Sequence, residues 1–158
     1  MSTDQNDNPS NLTSVTIERI VAAMKGFGIE LSPHGQHEVA TANLNDYPVT
    51  FAVLGSVFIV RADTVTDQTL TDLDPGLYLA ANQVNCVSFG ARASIVAQAE
   101  RLIIRTERDV PVAAGMTDTQ LEGALRAAVD GVLAAQEGVV SAAQKLRAVR
   151  AAQEDQES

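Results

Sequence analysis

The chain has 158 residues, 46% hydrophobic and 20% charged, and its 11 basic against 20 acidic side chains leave a formal charge of −9. That length builds one domain whose core needs no disulfide or metal, and the composition excludes a wholly disordered, collagenous or disulfide-scaffolded protein. The acidic balance repels phosphate backbones and anionic lipid, which recruit proteins through clustered Lys and Arg, so neither nucleic acid nor a membrane is expected as a partner.

The first residues carry Asp4 and Asp7 with no basic or apolar run, unlike a secretory signal peptide. The lone Cys86 has no internal partner for a disulfide. Both features lead to a cytoplasmic expectation. Residues 1–12 and the acidic residues 151–158 lack hydrophobic periodicity and are expected to be disordered tails. Between them the pattern divides into an α+β domain over 13–137 and a helical extension over 138–150.

Ile17, Ile20, Val21, Met24 and Phe27 recur every three to four residues and predict a helix over 14–27, with Thr13 or Ser14 as its N-cap. The stretch Lys25-Gly26-Phe27-Gly28 reads as its C-terminal cap, because it ends a helix and lacks the spacing of a phosphate loop. From residue 39 the period changes to two, with β-branched and aromatic residues over 39–44, 47–54 and 57–65. Asn45-Asp46 and Gly55-Ser56 are two-residue breaks suited to tight hairpins, so an antiparallel meander is expected. Asp74-Pro75 predicts a helix start, with Asp74 as N-cap and Leu77, Ala80, Ala81 and Val84 as the inner stripe. Two more strands follow, over 91–96 and 101–110, with a turn at 98–100. Thr117-x-x-Gln120 is a capping box, and Leu121, Leu125, Ala128, Val129, Val132 and Leu133 form the stripe of the last helix. Its pattern continues through Val140, Ala143 and Leu146 despite Gly138. The expected fold class is therefore α+β, an antiparallel sheet in the order α-β-β-β-α-β-β-α.

A sheet covered on one side alternates apolar and polar residues. Here Val49, Phe51 and Val53 share one parity and Thr50, Ala52 and Leu54 the other, while Val57 and Ile59 oppose Phe58 and Val60. Both faces are partly apolar, so either the C-terminal helix folds over the second face or another chain does. Arg101, Ile103, Arg105 and Glu107 form a mixed-charge row on one strand.

Chemistry-bearing clusters are sparse. His34, His37 and Glu38 have no further His or Cys to complete a zinc set, and no serine elbow accompanies them. Asp67, Asp72 and Asp74 lack calcium-loop spacing. The expectation is a non-enzymatic protein with no catalytic residue, metal or cofactor.

Residues 77–85, Leu-Tyr-Leu-Ala-Ala-Asn-Gln-Val-Asn, and residues 101–121, from Arg-Leu-Ile-Ile-Arg through Ala-Gly-Met-Thr to Gln-Leu, resemble the YbjN family of bacterial proteins. The likeness covers about residues 15–132, with Val84 where the family often carries an aromatic. It implies a fold similar to type III secretion chaperones and a role as a regulator of sensory transduction, with no established catalytic residues to carry over. Locally, Asn82 and Asn85 are expected to satisfy backbone groups where the helix gives way to a strand. The combined expectation is a chaperone-like, homodimeric module that binds a protein partner. Leu77, Tyr78, Ala81 and Val84 are its candidate interface, with Leu77 and Val84 drawn toward the core. The alternative is a regulator sensing a small molecule in a cavity between sheet and helices.

Overall fold

The computed structural model describes residues 11–157, so the tail expected over 1–12 lies outside them except for its last two residues. The elements are α1 (Ile17–Gly26), β1 (Ser32–Pro33), β2 (Val39–Leu44), β3 (Tyr47–Leu54), β4 (Val57–Thr69), α2 (Gly76–Val87), β5 (Arg92–Gln98), β6 (Arg101–Pro111) and α3 (Asp118–Glu157). They form one antiparallel sheet in the order β1-β2-β3-β4-β6-β5.

The α+β expectation holds, with one strand more than the pattern predicted. β1 is two residues long and pairs Ser32 with Thr41 and Pro33 with Ala40, too short to show any periodicity. The β2–β3–β4 meander forms at the expected breaks, and Asn45 and Asp46 both take the left-handed backbone of a tight hairpin, at φ 51 and 66. Strand β6 then returns beside β4, leaving β5 as an edge.

The β5–β6 turn places Ala99 and Glu100 in the same left-handed region, at φ 48 and 69, which neither side chain favours. Ala99→Asn with Glu100→Gly is expected to raise stability by about 1 kcal/mol, a gain of roughly 2–4 °C in melting temperature. A calorimetric scan that shows no gain would remove strain from the description of this turn.

The helix caps differ in detail from expectation. Thr16, not Thr13 or Ser14, accepts the Arg19 N–H at the start of α1. Thr13 instead exchanges backbone hydrogen bonds with Met116. At α2 the Asp74 carboxylate accepts the Gly76 N–H from one position further out, with Pro75 as the N-cap residue. The Thr117–Gln120 capping box forms in both directions, at 3.0 and 3.2 Å.

All three helices cover one sheet face. Val49, Phe51, Val53, Phe58, Val60, Ala62, Ile104 and Thr106 point under them and are buried. Two hydrogen bonds fix α3 to that face: Thr106 Oγ1 donates to the Val132 carbonyl, and Gln136 Nε2 donates to the Ala62 and Ile104 carbonyls. The C-terminal helix therefore does not close the second face, as one reading of the strand parity had it.

Helix α3 is also longer than the pattern suggested. Gly138 does not weaken it; a Cβ there would stand 3.2 Å from Val84 Cγ2, so the missing side chain lets α2 pack closely. Arg147 then reaches back to Asp67 near the end of β4, and Arg150 to Asp74 in the β4–α2 connection. Beyond them residues 151–157 are helical and exposed rather than the disordered tail expected from 151. Ala, Gln and Glu extend a helix well once it is nucleated, so low hydrophobic periodicity was no evidence against it.

Candidate functional site

Helix α2 arises from an apolar run that exceeds what one buried stripe can absorb. Leu77, Ala80, Ala81 and Val84 face inward and are buried. Leu79, Gln83, Cys86 and Val87 lie three or four residues apart on the opposite side, and all four are exposed. Of the proposed interface residues, Leu77, Ala81 and Val84 thus belong to the core of the chain, and only Tyr78 stands half-exposed.

The surface extends into both flanking loops. Leu73 before the helix is 97% exposed, Phe89 after it 95%, and Val87 79%. Among the described residues ten large hydrophobics are exposed, and six of them, Leu70, Leu73, Tyr78, Leu79, Val87 and Phe89, fall within residues 70–89. Such concentration is not the scattered single exposure of an ordinary surface. Residues 75–91 also contain no charged side chain, in a chain of net charge −9. Leu79, Val87, Phe89 and Leu73 escaped the sequence reading, although three successive apolar residues at 77–79 cannot all face one side of a helix. That run, together with the absence of charge, was the signal.

Asn85 anchors this surface to the sheet. Its Nδ2 donates to the Ala93 carbonyl and its Oδ1 accepts the Ala93 N–H, both at 2.8 Å. The amide thus occupies both backbone groups of one β5 residue, the local role expected for it. Asn82 is exposed on the outer side of α2.

The open sheet face is built differently. Glu107 on β6 accepts bidentate contacts from Arg61 at 3.0 and 2.8 Å and from Arg92 at 3.1 and 2.9 Å. Arg105 pairs with both oxygens of Asp63 at 2.8 Å. Arg105 and Glu107 of the mixed-charge row are therefore paired within the chain, and Arg101 donates to the Thr66 carbonyl. Leu54, Val57 and Ile59 lie to one side of it, and Val65, Ile103 and Val96 to the other. Ile103 is buried. Burial pushes the Glu107 carboxyl up, but hydrogen bonds from Arg61 and Arg92 outweigh it and hold the group below the ordinary glutamate value. The hydrogen bond to Glu107 raises Arg92, and that to Asp63 raises Arg105.

A depressed carboxyl adds stability above its unfolded value, near ~4.3, and loses it as pH falls through the lower folded value. Glu107→Gln is expected to cost about 1–2 kcal/mol at pH 7, discounted for the exposure of both arginines. It should also flatten the fall in stability below about pH 4.5. Urea titrations at pH 3, 4 and 7 check this, and parallel profiles for the two proteins would contradict it.

The remaining motifs form no common centre. His34 Nε2 lies 2.7 Å from Thr41 Oγ1, and His37 and Glu38 are exposed on the turn before β2. Asp72 caps the Thr69 N–H, while Asp67 and Asp74 pair with α3 arginines. Among the described residues no three His, Cys, Asp or Glu side chains converge to hold a metal, and no helix is long and apolar enough to cross a membrane. The surface of the described residues carries shallow clefts. One of about 450 Å³ lies at Ser88, Phe89, Arg92 and Asp109. One of about 410 Å³ lies between the end of α1 and α3, where Arg126 stacks on the Phe27 ring at 4.9 Å. Another, of about 330 Å³, lies by Arg19 and Asp118.

An antiparallel six-stranded sheet with three helices on one face defines a protein of the α+β class. Residues 16–139 match the family model described as "Putative bacterial sensory transduction regulator". The chain belongs to the YbjN family. Among solved structures it is similar to one titled "Crystal structure of YbjN, a putative transcription regulator from E. coli", at 14% identity and a TM-score of 0.60, over 88% of this chain and 96% of that one. At that identity the likeness shows the fold. No curated protein matches the chain.

Proposed function

We propose that the protein is a non-catalytic, cytoplasmic regulatory module that works as a homodimer and binds a protein partner through the outer side of α2 and its flanking loops. The observation that carries this reading is the gathering of Leu70, Leu73, Tyr78, Leu79, Val87 and Phe89 within residues 70–89, of which 75–89 carry no charge. Large exposed apolar patches mark protein contacts, and aromatic anchors such as Phe89 and Tyr78 are the residue types that dominate binding energy. The family description, a regulator, supports a binding role over a chemical one.

Leu79→Asp puts a charge at the centre of that surface without touching the core, since Leu79 is half-exposed. Its unfolding free energy is expected to stay within about 0.5 kcal/mol of wild type. Affinity for the partner recovered by cross-linked pull-down from native cells should fall at least tenfold. Equal recovery by wild type and a folded Leu79→Asp protein would overturn the reading.

A further inference from the structure

The two sheet edges are defended unequally. β1 is two residues long and contains Pro33, devices that stop another strand from adding. β5 is seven residues long, Arg-Ala-Ser-Ile-Val-Ala-Gln, with no proline and an unbroken register against β6. Gln98 and Arg101 close a two-residue turn, so hydrogen-bonded pairs with β6 alternate back from there and fall at Gln98, Val96, Ser94 and Arg92. Ala93, Ile95 and Ala97 therefore aim their N–H and C=O groups away from β6. The Asn85 bonds to Ala93 agree with this parity. Among the described residues, nothing bonds the outward groups of Ile95 and Ala97.

We propose that β5 of a second copy pairs antiparallel with this edge, and that Asn85 acts as a register stop. The proposal rests on the homodimeric part of the reading above and names its surface. With Ala93 occupied, one two-fold register uses both free residues: Ile95 opposite Ala97 of the second copy, and Ala97 opposite its Ile95. That makes four backbone hydrogen bonds. A shift one way needs the blocked Ala93, and a shift the other way needs Ala99, which sits in the turn at φ 48.

The side chains in the favoured register are self-complementary. Val96 meets Val96 of the second copy on the open face, next to Ile103 and Val65. Ser94 faces Gln98, and Arg92 comes opposite the turn that carries Glu100, so opposite charges meet twice across the axis. A neutral α2 surface adjoins this edge through Asn85. The same axis sets two copies of it side by side on the helical face, with no like charges between residues 75 and 91 to repel.

The test uses the full chain with the exposed Cys86 replaced, Cys86→Ser. In that background Val96→Cys is expected to cross-link two chains in oxidised glutathione, because a non-hydrogen-bonded pair holds Cα atoms about 4.5 Å apart, within disulfide range. Ser94→Cys should stay uncross-linked, its symmetry mate lying about four residues, or ~13 Å, along the strand. Separately, Ala97→Pro removes an outward N–H that β6 does not use, so the monomer should keep its melting profile. Its dimer dissociation constant should rise tenfold or more by sedimentation equilibrium.

A wild-type chain of monomer mass at 100 µM would overturn the proposal, as would a dimer that neither cross-links at residue 96 nor weakens in Ala97→Pro. So would an edge that instead takes an extended segment of another protein, seen as partner capture lost in Ala97→Pro while the chain alone stays single. Partner loss in Leu79→Asp reads the α2 contact independently, so a dimer placed elsewhere leaves that part of the functional reading intact.

Discussion

Gly131→Ala is expected to lower the unfolding free energy by about 2–4 kcal/mol, a drop of roughly 4–16 °C in melting temperature. An added Cβ would stand 2.4 Å from the Gly90 carbonyl oxygen and 3.0 Å from its Cα. Those are backbone atoms, so no rotamer change relieves the clash. The Gly90 carbonyl is also held in place, since it accepts a hydrogen bond from Arg108 Nη1 at 3.0 Å. Either α3 lifts from the loop between α2 and β5, or that loop moves and loses the Arg108 contact. Alanine is the better helix former by about 1 kcal/mol, so a helix alone would gain from this change. A calorimetric scan in which the variant melts at or above the wild-type temperature would show that α3 and the loop are less tightly apposed than described.

The second large effect is expected at Gln136. Its side chain is fully buried, with Oε1 accepting from Thr64 Oγ1 at 3.0 Å and Nε2 donating at 2.8 and 3.0 Å to carbonyls of β4 and β6. Gln136→Leu keeps similar volume and apolar packing but leaves the Thr64 hydroxyl without that acceptor. Unmade hydrogen bonds in a core cost more than made ones contribute, and the expected loss is about 2–3 kcal/mol. Because both carbonyls belong to paired strands, the loss should not reach the value for wholly orphaned groups. Denaturant titration distinguishes the cases: a change below about 0.5 kcal/mol would mean that the amide adds nothing to the seating of α3.

These two positions show where the sequence was legible. The strands from 39 to 65 announced themselves through period-two patterning and the turn residues between them, whereas the run of β4 on to Thr69 past its irregular register did not, and Thr117 with Gln120 fixed the start of α3. Gln136 was passed over as polar, yet it lies four residues after Val132 and seven after Val129. That places a polar residue on the apolar stripe, which is itself a sign of a buried hydrogen-bonding role. Gly138 read as a weak point because propensity is local, whereas its reason for being small is Val84 on another helix. The two-residue β1 carries no pattern at all. On α2, composition showed an excess of apolar residues, but which of them would be covered depended on where α3 lay. Tyr78 was therefore legible as surface, while Leu79, Val87 and Phe89 became so only once Leu77, Ala81 and Val84 were seen to be buried. The doubled apolar parity of the strands was real, and its open side is divided by the Arg61–Glu107–Arg92 and Asp63–Arg105 pairs.

The most direct measurement is site-specific photocross-linking in the native cell, with a photoreactive phenylalanine analogue at position 89, at position 78, and at the exposed Glu122 on α3 as a distant reference. Protein recognition through α2 and its loops predicts a discrete adduct with another protein at 78 and 89, absent at 122 and lost when Leu79→Asp is added. No adduct at 78 and 89, or equal labelling at all three positions, would contradict it.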